Sequence, residues 1–241
     1  MRIDVYLCDS GLCKSRTEAK KFIEAGAVSV SGKTVTKPSL DVDPATDEIN
    51  IDKSSQKYVS RGGTKLEGAL SAFGISPLGK VCIDVGASSG GFTDCLLQNG
   101  AASVVAVDSG SGQLAEAIRL DKRVKSIENY NARYMSPSDF ECLFDLAVMD
   151  VSFISATYII PSLYNCLACG ADYILLIKPQ FEVGRGGLSK GGIVKDEKLR
   201  RFAVQKVTDS AAAVGFKLVS VTESPIRGGD GNIEFLAHFK K

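Results

Sequence analysis

Asp84-Val-Gly-Ala-Ser-Ser-Gly-Gly-Phe92 is the stretch on which the reading of this 241-residue chain turns. It follows the apolar run Val81-Cys-Ile-Asp-Val85 and leads into a helical segment over residues 92–99. An apolar strand, a glycine-rich turn and a helix together open a βα unit. Glycine lets the backbone approach a ligand closely. In a doubly wound sheet, ligands sit beyond the carboxyl ends of the strands. The spacing is not GxGxxG, because Ser88 stands where the second glycine is required. That weighs against a dinucleotide whose pyrophosphate rests on the helix N-terminus. A tight βα turn with no ligand is the plainer alternative.

Downstream, apolar runs at 103–108, 124–128, 143–150 and 172–178 alternate with helical segments, 156–167 among them. Such alternation predicts a parallel sheet covered on both faces. A long helix over 197–214 leads to a strand at 216–222. The run at 233–239 follows too soon for another helix, so the last two strands are expected to pair antiparallel. The expected fold is α/β: a Rossmann-like sheet of seven strands with the last antiparallel, as in class I methyltransferases. Asp108 ends the second strand, 22 residues after Gly86. A carboxylate there can accept hydrogen bonds from a ribose diol. A ligand with a ribose and no pyrophosphate is indicated, and S-adenosylmethionine fits.

Upstream, residues 1 to about 52 read as a small α+β unit. Ile3, Tyr6 and Leu7 share one helical face, and Ser15-Arg-Thr-Glu18 is a capping box. Ala19, Phe22 and Ile23 follow at helical spacing, and Gly26 supplies the stop. Ser31-Gly32 turns one short strand into the next. Residues 1–40 hold seven basic side chains, among them Arg2, Lys14, Arg16, Lys20 and Lys21, against four acidic ones. A solvated helix face is the commoner meaning of such a cluster. Residues 53–65 form a polar, glycine-containing connection that carries Lys53, Lys57, Arg61 and Lys65 and no acid. A helix is expected from Leu66 to Phe73.

The net charge of +1 excludes a global basic field, so a nucleic-acid site must be local. No apolar run approaches the ~20 residues of a membrane span. Met1-Arg-Ile-Asp4 does not open a signal peptide. A cytoplasmic protein with reduced cysteines is therefore expected. Cys166 and Cys169 form a lone CxxC with no second pair, and read as core cysteines at helical spacing. The single histidine, His238, removes His-based triads and His-rich metal sites. No metal is expected, and acid–base work falls to other side chains.

Four charged residues stand where a sheet's active edge should be. Asp150 ends the fourth strand, Lys178 ends the fifth, Glu234 begins the last, and Lys65 lies just ahead of the domain. Each alone could be a structural ion pair. Together they suggest a Lys–Asp–Lys–Glu cluster. A ribose 2′-hydroxyl that attacks a sulfonium methyl must lose its proton, and a neutral lysine can take it. Desolvation and a second lysine favour that neutral form.

These residues resemble the TlyA family of bacterial ribosomal RNA 2′-O-methyltransferases, some of which are called hemolysin A. Ser15-Arg-Thr-Glu-Ala-Lys20 and Gly26-Ala-Val-Ser-Val-Ser-Gly-Lys33 resemble its S4-type (alpha-L) RNA-binding domain. Tyr58-Val-Ser-Arg-Gly-Gly63 resembles its linker. Gly86-Ala-Ser-Ser-Gly-Gly-Phe-Thr-Asp94, Asp150-Val-Ser-Phe-Ile154, Lys178-Pro-Gln-Phe-Glu182 and Gly231-Asn-Ile-Glu-Phe235 resemble its methyltransferase blocks. The resemblance implies an RNA-binding domain over 1–57, a linker over 58–64 and an FtsJ-like domain over 65–241. It implies a catalytic tetrad of Lys65, Asp150, Lys178 and Glu234. The cofactor turn would comprise Gly86, Ala87, Ser88, Ser89, Gly90, Gly91 and Phe92, with Asp108 on the ribose. Ser89 departs from the family's usual Thr but keeps the hydroxyl. RNA would be held by Arg2, Lys14, Arg16, Lys20, Lys21 and Arg61. The chain resembles the family's shorter form, associated with large-subunit RNA. The implied substrate is a ribose, cytidine foremost, of ribosomal RNA within a ribosomal subunit. Two rival functions are a membrane-active hemolysin, which needs a membrane segment, and an RNA-binding assembly factor without chemistry. The intact tetrad speaks against the second.

Overall fold

The apolar stripe of the first helices closes a small core. In the computed structural model, which describes residues 1–24, 26–51, 57–189 and 191–241, helices α1 (Ile3–Asp9) and α2 (Arg16–Glu24) bury Ile3, Leu7, Ala19, Phe22 and Ile23. Ser15 caps α2: its hydroxyl accepts the Glu18 N–H at 3.2 Å. The Glu18 carboxylate reaches back to the N–H of Lys14, so the reciprocal half of the box falls one residue before the cap. Strands β1 (Val28–Val30) and β2 (Lys33–Val35) form a hairpin, and β3 (Ile49–Ile51) pairs on the other side of β1. Ser31 and Gly32 both take positive φ, the requirement of a two-residue hairpin turn of this hand.

Contacts divide the chain into two units, Met1–Lys57 and Tyr58–Lys241. The stretch 52–56, which includes Lys53 of the expected connection, lies outside the described residues. Helix α3 (Gly62–Phe73) starts four residues before the expected Leu66. The segment ahead of it is docked. Val59 N–H donates to Asp94 at 2.8 Å, and Tyr58 is buried. A Cβ on Gly63 would come within 2.2 Å of Tyr58, and one on Gly91 within 2.1 Å of Ser60 Oγ. The glycines thus allow residues 58–63 to lie against the start of the next helix.

The second unit continues with β4 (Val81–Val85), α4 (Gly91–Gln98), β5 (Ser103–Val107), α5 (Glu116–Arg119), β6 (Val124–Ile127) and β7 (Phe144–Met149). Then come α6 (Ile160–Cys166), β8 (Leu167–Ile177), α7 (Pro179–Glu182), α8 (Glu197–Ala213), β9 (Lys217–Glu223) and β10 (Phe235–Lys240). The seven strands lie in the order β6-β5-β4-β7-β8-β10-β9. Strands β4 to β8 pair parallel, and β10 runs antiparallel to both β8 and β9. Ile83, Val85, Ala147, Met149, Tyr173 and Leu175 face one apolar layer with Ile160 and Leu163 of α6. Cys82, Leu146, Val148, Ile174 and Leu176 face the other, with Leu66 of α3 and Leu96 of α4. Period-two alternation with both faces apolar is what a sheet buried on two sides requires.

Three local expectations change. Strand β8 begins at Leu167, five residues early, and directly follows α6. The 156–167 helix splits into a 3₁₀ turn, Ala156–Tyr158, and α6, whose Pro161 stands in the first turn, where a missing N–H costs no helical bond. As a result Cys166 and Cys169 are not at helical spacing: Cys166 ends α6 and is buried, whereas Cys169 is exposed on β8.

Candidate active site

Parallel strands bring their carboxyl ends to one edge, and an antiparallel β10 brings its beginning to the same edge. Phe235 pairs with Ile177, so the register sets Glu234 next to Lys178. Asp150 follows β7 directly. The sheet therefore gathers residues that lie far apart in the chain.

At this edge Lys65 Nζ donates to Glu234 Oε2 at 2.6 Å, both side chains being almost fully buried. Lys178 Nζ lies 2.5 Å from Asp150 Oδ1 and donates to Ser152 Oγ at 2.8 Å. The four expected residues thus form two lysine–carboxylate pairs. Gln180 Nε2 reaches Glu234 Oε1 at 3.5 Å. A Cβ on Gly228 would meet that same oxygen at 2.4 Å, so the loop before β10 is in close contact with the carboxylate. Arg61 donates to the carbonyl of Arg227 at 2.9 Å and ties that loop to the start of α3.

A cavity of about 430 Å³ opens beside Asp150. Of the residues expected to hold a cofactor, Gly86, Ser88 and Asp108 line it. Ala87, Ser89, Gly90, Gly91 and Phe92 do not line it. Ala87 is buried, the Ser89 carbonyl accepts the Ala115 N–H, and Gly90 packs against Leu114 and Ile118. Gly91 packs on Ser60, and the Phe92 ring belongs to the core. A Cβ on Gly86 would stand 2.5 Å from the Asp150 carbonyl oxygen, which explains the glycine. Asp108 accepts N–H bonds from Ser88 at 2.8 Å and Gly110 at 2.7 Å, so it shapes the turn as well as facing the cavity.

Sequence reasoning missed several residues. Tyr130, Asn131, Ala132 and Arg133, just after β6, line the cavity, as does Phe153. The rule that ligands sit at strand ends applies to β6 as much as to β4. Asp84 is fully buried: one carboxylate oxygen accepts the Thr93 hydroxyl at 2.6 Å and the other has no partner. Burial pushes its carboxyl up to about 7 against the Thr93 bond, and the Asp150 and Asp108 charges add to the upward push. Glu182 holds the far end of the Asp150 loop, accepting from Ser155 Oγ at 2.5 Å and Ala156 N–H at 2.9 Å, with Lys206 Nζ 3.1 Å away.

The cavity suits a nucleoside that carries an amino-acid arm. Val107, Tyr130 and Ile159 offer apolar walls, Asp108 a diol acceptor, and Gly86 an open backbone. Among the described residues no group of three or more His, Cys, Asp and Glu could hold a metal ion.

Fold and site together define a methyltransferase of the S-adenosylmethionine-dependent class. Residues 58–241 match the FtsJ-like methyltransferase family, and residues 1–49 match the S4 domain. The chain is 44% identical over 234 residues to the 16S/23S rRNA (cytidine-2′-O)-methyltransferase TlyA of Mycobacterium tuberculosis, covering 97% of this chain and 87% of the relative. It is 46% identical to Hemolysin A of Brachyspira hyodysenteriae, covering 99% of each. A solved structure from Streptococcus thermophilus, described as a hemolysin, superposes with a TM-score of 0.79 at 44% identity, covering 100% of this chain and 88% of that one. The chain belongs to the TlyA family of FtsJ-like methyltransferases with an N-terminal S4 domain. It is an enzyme, and its cofactor is S-adenosylmethionine. No described helix is long and apolar enough to cross a membrane.

Proposed function

We propose that this enzyme methylates the 2′-oxygen of a cytidine ribose in ribosomal RNA within a ribosomal subunit, the large subunit being favoured, in the cytoplasm. The observation that carries the reading is the two lysine–carboxylate pairs, Lys65–Glu234 and Lys178–Asp150, at the edge of the sheet, of which Asp150 lines the cavity. The cytidine and the ribosomal RNA are those in the name of the Mycobacterium tuberculosis relative, which covers both 16S and 23S RNA; the chemistry rests on residues of this chain.

Bound S-adenosylmethionine supplies an electrophilic methyl group. Gly86, Ser88 and Asp108 hold it, with Tyr130 and Ile159 as apolar walls. Lys178 Nζ takes the proton from the 2′-hydroxyl as that oxygen bonds to the methyl carbon and the carbon–sulfur bond breaks, leaving S-adenosylhomocysteine. Asp150 then holds the new ammonium group, and Ser152 fixes the direction of Nζ. Lys65 and Glu234 complete the edge: the lysine charge favours oxygen losing its proton, and the carboxylate keeps that lysine in place. Positioning within roughly 3–3.5 Å gives such a transfer much of its rate. The N-terminal unit, residues 1–57, carries affinity for RNA through Arg2, Lys14, Arg16, Lys20 and Lys21, all exposed. Arg61 acts through its bond to the Arg227 loop.

The test is Lys178→Ala, with Lys178→Arg beside it. Both should abolish transfer of labelled methyl to ribosomal subunits, since neither side chain can take the proton, while RNA affinity stays within about twofold of wild type. Near-normal turnover in either variant would remove Lys178 from its role.

A further inference from the structure

Asp4 is a charged residue inside the smallest core of the molecule. It stands in the first turn of α1, fully buried, beside Ile3 and Leu7. Its carboxylate accepts Arg2 Nε at 2.9 Å on one oxygen. The other oxygen accepts Arg2 Nη2 at 3.1 Å and Arg16 Nη2 at 2.9 Å. Burial pushes the carboxyl up, but the bonds from Arg2 and then Arg16 outweigh it and bring it down to about 2. Asp4 is therefore an anion throughout the physiological range.

Two guanidinium groups that share one oxygen are held side by side. One carboxylate against two cations leaves a net positive charge at that point. Arg2 is 45% and Arg16 54% exposed, so the side of each fork away from Asp4 faces solvent. A guanidinium has five N–H donors, and Asp4 uses only part of each set. The two Nη2 atoms, 3.1 and 2.9 Å from the same oxygen, lie within about 6 Å of each other, so both forks can reach a single anion. Asp41, exposed and bridged to Arg2 through the backbone, is a further carboxylate nearby. Free arginine side chains lose rotamer entropy when they close on a ligand; these two are already fixed.

We propose that Arg2 and Arg16 form a single clamp for one RNA backbone phosphate, with Asp4 as the positioning residue that makes two arginines one site. The proposal rests on the reading of the N-terminal unit as the RNA-binding part. It differs from a row of independent phosphate contacts, and from a staple that merely joins two helices.

Electrostatics gives the test its sign. Asp4→Asn removes an anion from the RNA-facing unit, so a purely structural Asp4 would leave affinity unchanged or improve it. The clamp requires the opposite: roughly tenfold weaker binding, as expected for one lost charge-assisted contact. The measurement uses the full chain and deproteinised large-subunit ribosomal RNA between about 50 and 200 mM salt, with melting followed by circular dichroism. Arg2→Gln, Arg16→Gln and the double variant keep amide donors for Asp4, so they remain decisive if Asp4→Asn does not fold. Each single variant should lower the salt slope by just under one unit, and the double by no more than either single. A double loss equal to the two single losses together would mean two separate phosphates and overturn the clamp. Lys20→Ala plus Lys21→Ala separates the two levels. If these lysine changes weaken binding while the arginine changes do not, the clamp alone fails. If neither pair matters, the RNA reading of the unit fails and takes the clamp with it.

Discussion

Lys65 and Glu234 meet at 2.6 Å across 169 residues of chain, and both are nearly out of reach of water. A buried ion pair gains little net stability, but breaking one partner is costly, about 3–5 kcal/mol, because the other charge is left alone. Glu234→Ala should therefore destabilise the second unit by about that amount and stop methyl transfer. Lys65→Met combined with Glu234→Leu should regain most of the stability and none of the activity. Urea denaturation and a methyl-transfer assay on the same preparations separate the two effects. Recovered activity in the double variant would make the pair purely structural.

Phe153 is 93% exposed and takes a φ of +64°, a backbone conformation uncommon for a large side chain. It borders the cavity, and its ring lies 5.3 Å from that of Phe181. An exposed aromatic at the mouth of the cofactor cavity is a surface on which a base of the proposed RNA substrate can stack, with ~1–3 kcal/mol at stake. Phe153→Ala should raise KM for RNA by roughly ten- to a hundredfold, in line with that energy, and leave the melting temperature unchanged. Phe153→Tyr should behave as wild type. An unchanged KM in the alanine variant would remove the stacking role.

Asp84 makes stability depend on pH in a direction opposite to most carboxylates. Its carboxyl titrates near 4 in the unfolded chain and at about 7 in the fold. Between those values the fold holds a proton that the unfolded chain has released. Its contribution is full below about pH 4 and is lost as pH rises through about 7. Asp84→Asn cannot titrate, so its stability relative to wild type should rise from about pH 5 to pH 8. Parallel stability curves for the two proteins over that range would contradict the assignment.

The fold was legible because its signals are local. Apolar runs such as Val81–Val85, the glycine turn after them and the Ser15–Glu18 cap each state their structure within a few residues. The placement of Asp150, Lys178 and Glu234 at one edge was legible because charged residues at the ends of apolar strands have few other places to go; that Lys65 of α3 pairs with Glu234 was not. What depends on tertiary contact was not. The sequence does not say that Phe92 turns into the core while Tyr130 turns to the cavity. Nor does it mark Asp4 as buried, since an aspartate in a helix's first turn is ordinarily solvated. Glu182 lies within a block quoted for its lysine, yet its bonds to Ser155 and Ala156 arise only when α7 folds over the Asp150 loop. The cysteine pair misled because α6 stops at Cys166 and β8 begins at the next residue.

The position of the methyl group separates ribose chemistry from base chemistry. Ribosomal RNA from cells lacking this gene, incubated as subunits with the purified enzyme and S-adenosylmethionine, can be digested to nucleosides and read by mass spectrometry. One new species should appear, 2′-O-methylcytidine, and it should be absent when Lys178→Ala replaces the wild-type enzyme. A methyl group on a base, or no methylated nucleoside from either subunit, would contradict the proposed function.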